Sequence, residues 1–237
     1  MSDSSTNEQG RAPSKRPTTR LLKRARTVQL SMLPKIPAID GLDIQTHYQP
    51  CDAVGGDFYD FFSVSPWELG IVMGDVSGHG IDAALTMAMA KKSIQLNGKG
   101  RSSPRETLLV TCADLAQDLP GNSFVTVFYG VLDLRTWRLT FASAGHTPPI
   151  LFNPDRTPQL QVIPTRGVVM GAAFMKAMEQ SLIEQSVQLR LGDTLFLYTD
   201  GLTEAPNPLG DQFGEPRVLR ALDTAGDGDS RKIVSMV

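Results

Sequence analysis

Residues 123–145, SFVTVFYGVLDLRTWRLTFASAG, constrain the fold more than any other stretch of the chain. Two runs rich in Val, Phe, Leu and Thr are separated by a short polar segment. The turn falls near Arg135-Thr136, and no crossover helix fits between the runs, so a long antiparallel hairpin is predicted. YDFF, ELGIVMGD and DTLFLYTD are further β-rich runs bounded by Gly, Pro, Asn or Asp, and SLIEQSVQL alternates apolar and polar as a strand with one wet face does. Strands that follow one another without intervening helices predict antiparallel sheets, hence an α+β chain rather than a doubly wound one.

Helices are expected around this β-rich middle. Leu21, Ala25, Val28 and Met32 form one narrow stripe over residues 20–33, closed by Pro34. The spacing further predicts helices from Gly80 to Leu96, stopped by Asn97-Gly98, from Pro104 to Leu119, and from Glu215 to Leu222. The second of these has Ser103 as cap, Pro104 at its first position and Glu106 three residues after the cap. Residues 1–19 are Ser, Thr, Pro and charge, which predicts a disordered basic tail. The expected organisation is therefore a tail over 1–19, a linking or regulatory helix over 20–34, and one domain over 35–237.

At 237 residues with 41% apolar content, the chain can bury a sizeable core. No apolar run is long enough to span a membrane, and the N-terminus lacks a secretory pattern, so a cytoplasmic protein is expected. Cys51 and Cys112 stand outside any CxxC or Cys/His cluster, which disfavours a disulfide frame or a zinc site and predicts two buried thiols. The net charge of −2 hides a basic N-terminus, where seven Lys and Arg residues oppose Asp3 and Glu8 within residues 1–33. With no aromatic interleaving there, a solvated tail and polar helix face are expected rather than a nucleic-acid contact.

Three aspartates share one setting, a strand end beside glycine: Asp57 in VGGDFYDFF, Asp75 in IVMGDVSGHG and Asp200 in LFLYTDGLTEA. Carboxylates are costly to bury alone, and several at the ends of apolar strands call for cations. Hard divalent ions such as Mg²⁺ and Mn²⁺ take oxygen ligands of this kind. Taken singly, each aspartate reads as a turn residue or a helix cap; together they point to one shared site. The loop GDVSGHG matches neither GxxxxGK[ST] nor GxGxxG, since its glycines are Gly74, Gly78 and Gly80. A helix start after Gly80 still favours an anion, so the loop alone leaves a nucleotide-binding reading open.

VGGDFYDFF, GDVSGHGIDAAL, SAGHTPPIL and GDTLFLYTDGLTEA, in this order, resemble the PPM-type metal-dependent protein phosphatases, and among them the bacterial SpoIIE/RsbU-like branch of serine phosphatases. ARTVQLSMLPKIPAIDGLDIQTHYQP is similar to the segment that leads into that domain. The resemblance implies an α-β-β-α sandwich of two antiparallel sheets flanked by helices, with two Mn²⁺ or Mg²⁺ ions between the sheet ends. Matched motif to motif, Asp75 would bridge the ions, the Val76 carbonyl would add a ligand, and Asp57 and Asp200 would each hold one ion. These residues would then carry hydrolysis of phosphoserine or phosphothreonine by a metal-activated water. The implied substrate is a small regulatory protein such as an anti-sigma-factor antagonist of the STAS type, with the 20–33 helix meeting a sensor or a second copy.

The pattern departs from the family in two places. The type 2C branch has a histidine two residues after its bridging aspartate, where this chain has Ser77; His79 lies further on and is expected to orient the turn or cap the helix, and His146 to be structural. The family's closing Asp-Asp-x-Thr strand is not found: Asp223, Asp227 and Asp229 in DTAGDGDS are not followed at once by an apolar strand, and SRKIVSMV reads as a helix start. The expectation is a domain that lacks its C-terminal strand, shortened by about 20 to 30 residues. Two rival readings follow: a non-catalytic binding module of the same fold with an incomplete metal site, and a nucleotide-binding protein.

Overall fold

The structure, a computed structural model, describes residues 16–119, 121, 123–225 and 230–236. Most of the tail expected over residues 1–19, and Asp227 and Asp229, lie outside the described residues. The main sheet runs β1 (Phe58–Ser65), β2 (Glu68–Val76), β3 (Val125–Asp133), β4 (Arg138–Ala144) and β7 (Glu184–Gln188), in that spatial order and antiparallel throughout. A second, three-stranded antiparallel sheet has β5 (Ile150–Phe152) between β6 (Leu160–Val162) and β8 (Thr194–Phe196).

Side-chain alternation builds the layers. On β3, Val125, Val127, Tyr129 and Val131 face the helices α2 (Gly80–Gly98) and α3 (Pro104–Leu115), where they meet Met87, Ile94 and Leu108. The intervening Phe128 and Leu132 join Leu139, Phe141, Leu151 and Leu195 between the two sheets. Phe128 and Phe141 stack there with centroids 5.4 Å apart, each worth about 1.5–3 kcal/mol of burial. The outer face of the small sheet is covered by α6 (Glu215–Ala225) and α7 (Ser230–Met236) through Val218, Leu222 and Ile233. The order helices, sheet, sheet, helices is the expected α-β-β-α sandwich.

The predicted hairpin is β3–β4, turning over residues 134–137, with the Asp133 carboxylate accepting from the Arg135 and Thr136 backbone N–H groups. Ser103 caps α3 as expected, its Oγ accepting from the Glu106 N–H at 3.2 Å. That helix ends at Leu115, short of the expected Leu119, and the Asp118 and Leu119 N–H groups both turn back to the Leu115 carbonyl. Conversely, α2 runs through Asn97-Gly98 instead of stopping before them. Asn97 donates to Asp114 on α3 at 2.8 Å, and a Cβ at Gly98 would stand 2.7 Å from the Tyr129 hydroxyl, so both residues serve close packing. The short β5 and β6, α4 (Met175–Ser181) and α5 (Asp200–Thr203) were not anticipated.

The N-terminal helix α1 spans Arg16–Met32, and its docked face differs from the expected stripe. Leu21, Val28 and Met32 are exposed, whereas Gln29 is buried, with Leu22, Ala25 and Arg26 partly covered beside it. The expected pair of buried thiols also fails: Cys112 is buried in the core, but Cys51 is exposed in the loop before β1. No helix among the described residues is long and apolar enough to cross a membrane.

Two charged contacts hold the layers. On the helix side, Asp60 of β1 is buried and pairs with Lys91 of α2 at 2.7 Å. Removing the cation would strand a buried carboxylate, a loss of about 3–5 kcal/mol. Lys91→Met is therefore expected to lower unfolding free energy by about that amount in urea titration, and Asp60→Asn in the same chain to recover part of it. At the hairpin end of the sandwich, Arg156 donates to Asp193 and to the Gln188 carbonyl, joining the small sheet to β7.

Burial alone would raise the Asp193 carboxyl, but Arg156, Asn153 and the Arg190 N–H outweigh it and hold the group below its ordinary value. With the folded value below the unfolded one, this stabilisation is complete above about pH 5 and is lost as pH falls through the folded value, below about 4. Asp193→Asn is expected to lower stability at neutral pH and flatten the acid limb of the stability curve below about pH 4. An acid limb identical to that of the parent would contradict this assignment.

Candidate metal centre

Strand register brings the first two aspartates together. Phe58 pairs with Gly74, so one further step sets Asp57 opposite Asp75, and Asp75 pairs with Thr126 on its other side. Alternation on β2 turns Val72, Gly74 and Val76 toward the helices and Leu69, Ile71 and Met73 toward the second sheet. Asp75 closes that second row, a carboxylate at the open end of an apolar interface.

The close approach depends on Gly56, where a Cβ would lie 2.7 Å from the Val76 carbonyl oxygen. The carbonyl expected as a ligand thus sits directly against the Asp57 segment. Gly56→Ala would push β1 away from β2, and overpacking of this kind costs about 1–3 kcal/mol. The variant is expected to lose stability in that range and to bind Mn²⁺ more weakly by calorimetry; wild-type affinity would show that the close approach is irrelevant to the site.

The Asp57 and Asp75 carboxyls stand opposite each other across the β1–β2 pair, two like charges in a partly buried setting. Burial, then the Asp57 charge, pushes Asp75 up to about 8, and burial also raises Asp57. Asp200 contributes like charge to both. Thr199 donates its hydroxyl to Asp57 Oδ2 at 3.1 Å, and a Cβ on Gly201 would stand 3.6 Å from the same oxygen, so the start of α5 flanks Asp57.

Asp200 itself is exposed in the first turn of α5. Among the described residues, no three Asp, Glu, His or Cys side chains close into a ready ligand cage. The structure pairs Asp57 with Asp75 and leaves Asp200 beside the pair. The donor set is oxygen only and crowded with negative charge. It suits a hard divalent cation, which would relieve the repulsion between the two acids.

The remaining motif residues have definite places. Ser77 extends the β2–β3 pairing, its N–H donating to the Phe124 carbonyl and its Oγ accepting from the Phe124 N–H. His79 precedes α2 but makes no side-chain cap; its ring is open to solvent, with Nδ1 3.4 Å from Asp52. Ser77, Asp82, Thr86 and Ser123 line a depression of about 210 Å³ beside this end of β2.

Several contacts at the site were missed by sequence reasoning. Gln29 of α1 donates to the Gly55 carbonyl at 2.7 Å and accepts from the Gly55 N–H at 3.1 Å, two residues before Asp57. The Arg26 guanidinium reaches the Asp52 carbonyl at 3.4 Å. The Tyr48 hydroxyl lies beside Gly55, where a Cβ would stand 3.9 Å from it, and burial, then the charge of Asp57, pushes the phenol up to about 12. A polar residue inside an amphipathic helix, as Gln29 is, was the one available signal.

The family described as Stage II sporulation protein E (SpoIIE) matches residues 65–237, a span that contains Asp75 and Asp200. The chain belongs to the SpoIIE family. Among curated relatives, it is 29% identical to the phosphoserine phosphatase RsbU of Bacillus subtilis over 76% of this chain and 52% of that protein. It is 26% identical to protein IcfG of Synechocystis sp. over 91% of this chain and 37% of that one. The chain thus spans about half or less of the length of these relatives.

Two solved structures compare well with this fold. The RsbU and RsbW domains of Rv1364c from Mycobacterium tuberculosis align with a TM-score of 0.62 at 27% identity, covering 78% of this chain and 49% of that one. The SiaA PP2C domain of Pseudomonas aeruginosa aligns with a TM-score of 0.76, covering 94% of this chain and 88% of that one; at 21% identity it supports the fold.

Proposed function

We propose that this chain is a Mn²⁺- or Mg²⁺-dependent protein-serine/threonine phosphatase, with Asp57, Asp75, the Val76 carbonyl and Asp200 as the metal-binding and catalytic set. The observation that carries the reading is the juxtaposed Asp57–Asp75 pair, two acids set opposite each other by strand register at the end of an apolar interface. Two bound cations would supply a water of lowered pKa and offset charge on the phosphoryl oxygens. The chain's own residues orient the donors: Thr199 fixes the Asp57 carboxylate, Gly56 admits the Val76 carbonyl, and the β1–β2 register sets the spacing. Asp200 completes the set from the opposite sheet, where the start of α5 already flanks Asp57. Neither thiol competes as a nucleophile, since Cys112 is buried and burial raises its pKa, while Cys51 lies in no phosphate-cradling loop.

The substrate assigned to this site is a phosphoserine or phosphothreonine on a regulatory protein of the anti-sigma-factor antagonist type. Support comes from the relatives named phosphoserine phosphatase RsbU and RsbP. Residues 35–237 are assigned as the catalytic unit and 20–34 as the helix through which a sensor or a second copy acts. The exposed Leu21, Val28 and Met32 supply the surface, and Gln29 supplies the link to the Asp57 segment.

A second reading, a non-catalytic binding module of the same fold, is favoured by one observation, the exposed position of Asp200 outside the acid pair. Phosphate release from p-nitrophenyl phosphate separates the two. Mn²⁺ is expected to raise the melting temperature and to support release. Asp75→Asn is expected to abolish both, with a loss beyond about a hundredfold, since even groups that only support a metal ligand cost about 10- to 100-fold when removed. Mn²⁺ binding without release would establish the binding module. A melting temperature raised by ATP but not by Mn²⁺ would instead establish nucleotide binding by the 74–80 loop.

A further inference from the structure

One buried group beside the carboxylates has no part in the chemistry above. His146, in the loop between β4 and β5, is 5% exposed. Its Nδ1 lies 2.8 Å from Thr126 Oγ1, and its own carbonyl accepts from the buried Ser143 hydroxyl at 3.4 Å. The next residue, Thr147, donates its hydroxyl to the Tyr198 carbonyl on the other sheet. Burial pushes the imidazole down to about 4, against a pull from the Tyr198 backbone, so the ring is neutral at physiological pH. A neutral imidazole has one donor and one acceptor and can tie two groups that lie on opposite sides of it. Its Nε2 is sealed from solvent and makes no hydrogen bond of ordinary geometry. An apolar side chain of similar volume would fill the same space without that unpaired nitrogen.

The partners of this segment lead back to the acids in both directions. Thr126 is the cross-strand neighbour of Asp75. Tyr198 precedes Thr199, whose hydroxyl holds Asp57, and Asp57 stands opposite Asp75 across the β1–β2 pair. The contacts form a closed circuit through both sheets: Asp75, Thr126, His146-Thr147, Tyr198-Thr199, Asp57 and back to Asp75.

We propose that His146 is a positioning residue for the carboxylate pair, fixing the spacing of the two sheets at their open end through Thr126 on one side and the Thr147–Tyr198 link on the other. The inference rests on the metal-centre reading given above. In it the ring transfers no proton to substrate; it sets where Asp75 and Asp57 stand when a cation arrives. Networks of this kind act as a unit, so removing one member releases the rest.

The test compares wild type, His146→Ala, Thr126→Val and the double variant in the full chain. Mn²⁺ affinity is read by calorimetry, the melting temperature in EDTA, and kcat and KM with p-nitrophenyl phosphate. Each single variant is expected to weaken Mn²⁺ binding by about 10- to 100-fold and to lower kcat more than it raises KM. The double variant is expected to be no worse than the poorer single one, because both cut the same link. Thr126→Val keeps the shape of the side chain, so its effect is read even if His146→Ala folds poorly. Wild-type Mn²⁺ affinity in Thr126→Val, or losses that multiply in the double variant, would reduce His146 to a space-filling role. A wild-type chain that binds no Mn²⁺ would overturn the metal reading first, and this one with it.

Discussion

The β1–β2–β3 register is the constraint on which everything else in this molecule depends. It sets Asp57, Asp75 and Thr126 in one row across three strands, at the end where the apolar interface between the sheets gives out. Two carboxylates placed this way repel each other, and the repulsion is sustained by packing that does not involve them. Phe128, Phe141 and Leu139 hold the sheets together behind the acids, and Val125, Val127 and Tyr129 hold the main sheet to its helices. A slip of one residue would turn the acids toward the helices and the valines toward the second sheet, so core and site specify the same register.

Much of this was legible in the chain itself. The 123–145 segment reads as a hairpin because its β-branched and aromatic residues leave no room for a crossover, and Ser103-Pro104 announces α3 by its hydrogen-bonding and backbone preferences. The three aspartates stood out because carboxylates at apolar strand ends are unusual on energetic grounds. Which of them would touch was not legible. Opposition of Asp57 and Asp75 follows from a pairing between strands, and Asp200 stands apart because it begins a four-residue helix that local pattern does not reveal. The strands β5 and β6 are only three residues each and exist through tertiary pairing.

The N-terminal helix and Cys51 show what pattern leaves out. The stripe Leu21, Val28 and Met32 stays exposed, and the face that docks on the domain is organised by the polar Gln29, whose amide pairs with both backbone groups of Gly55. Periodicity weighs apolar area and is blind to an amide that matches a backbone amide. Cys51 was assigned to the interior by residue type alone, although its neighbours Pro50 and Asp52 lie in a loop. Thr126 gave no signal, and His146 reads as structural from its motif but its partners do not, because both depend on what the fold brings beside them.

The Arg156 clamp has a mechanical meaning. It fastens the small sheet to β7 at the hairpin end, far along the strands from the acids. The opposite end is spanned by a few hydroxyl and imidazole contacts and by two groups that repel. A sandwich fastened so unequally has its two sheets pinned at the back and only lightly laced at the front. Residues around Asn153 and Asp193 therefore fix how the layers are stacked, while the acids occupy the end where fewer contacts join them.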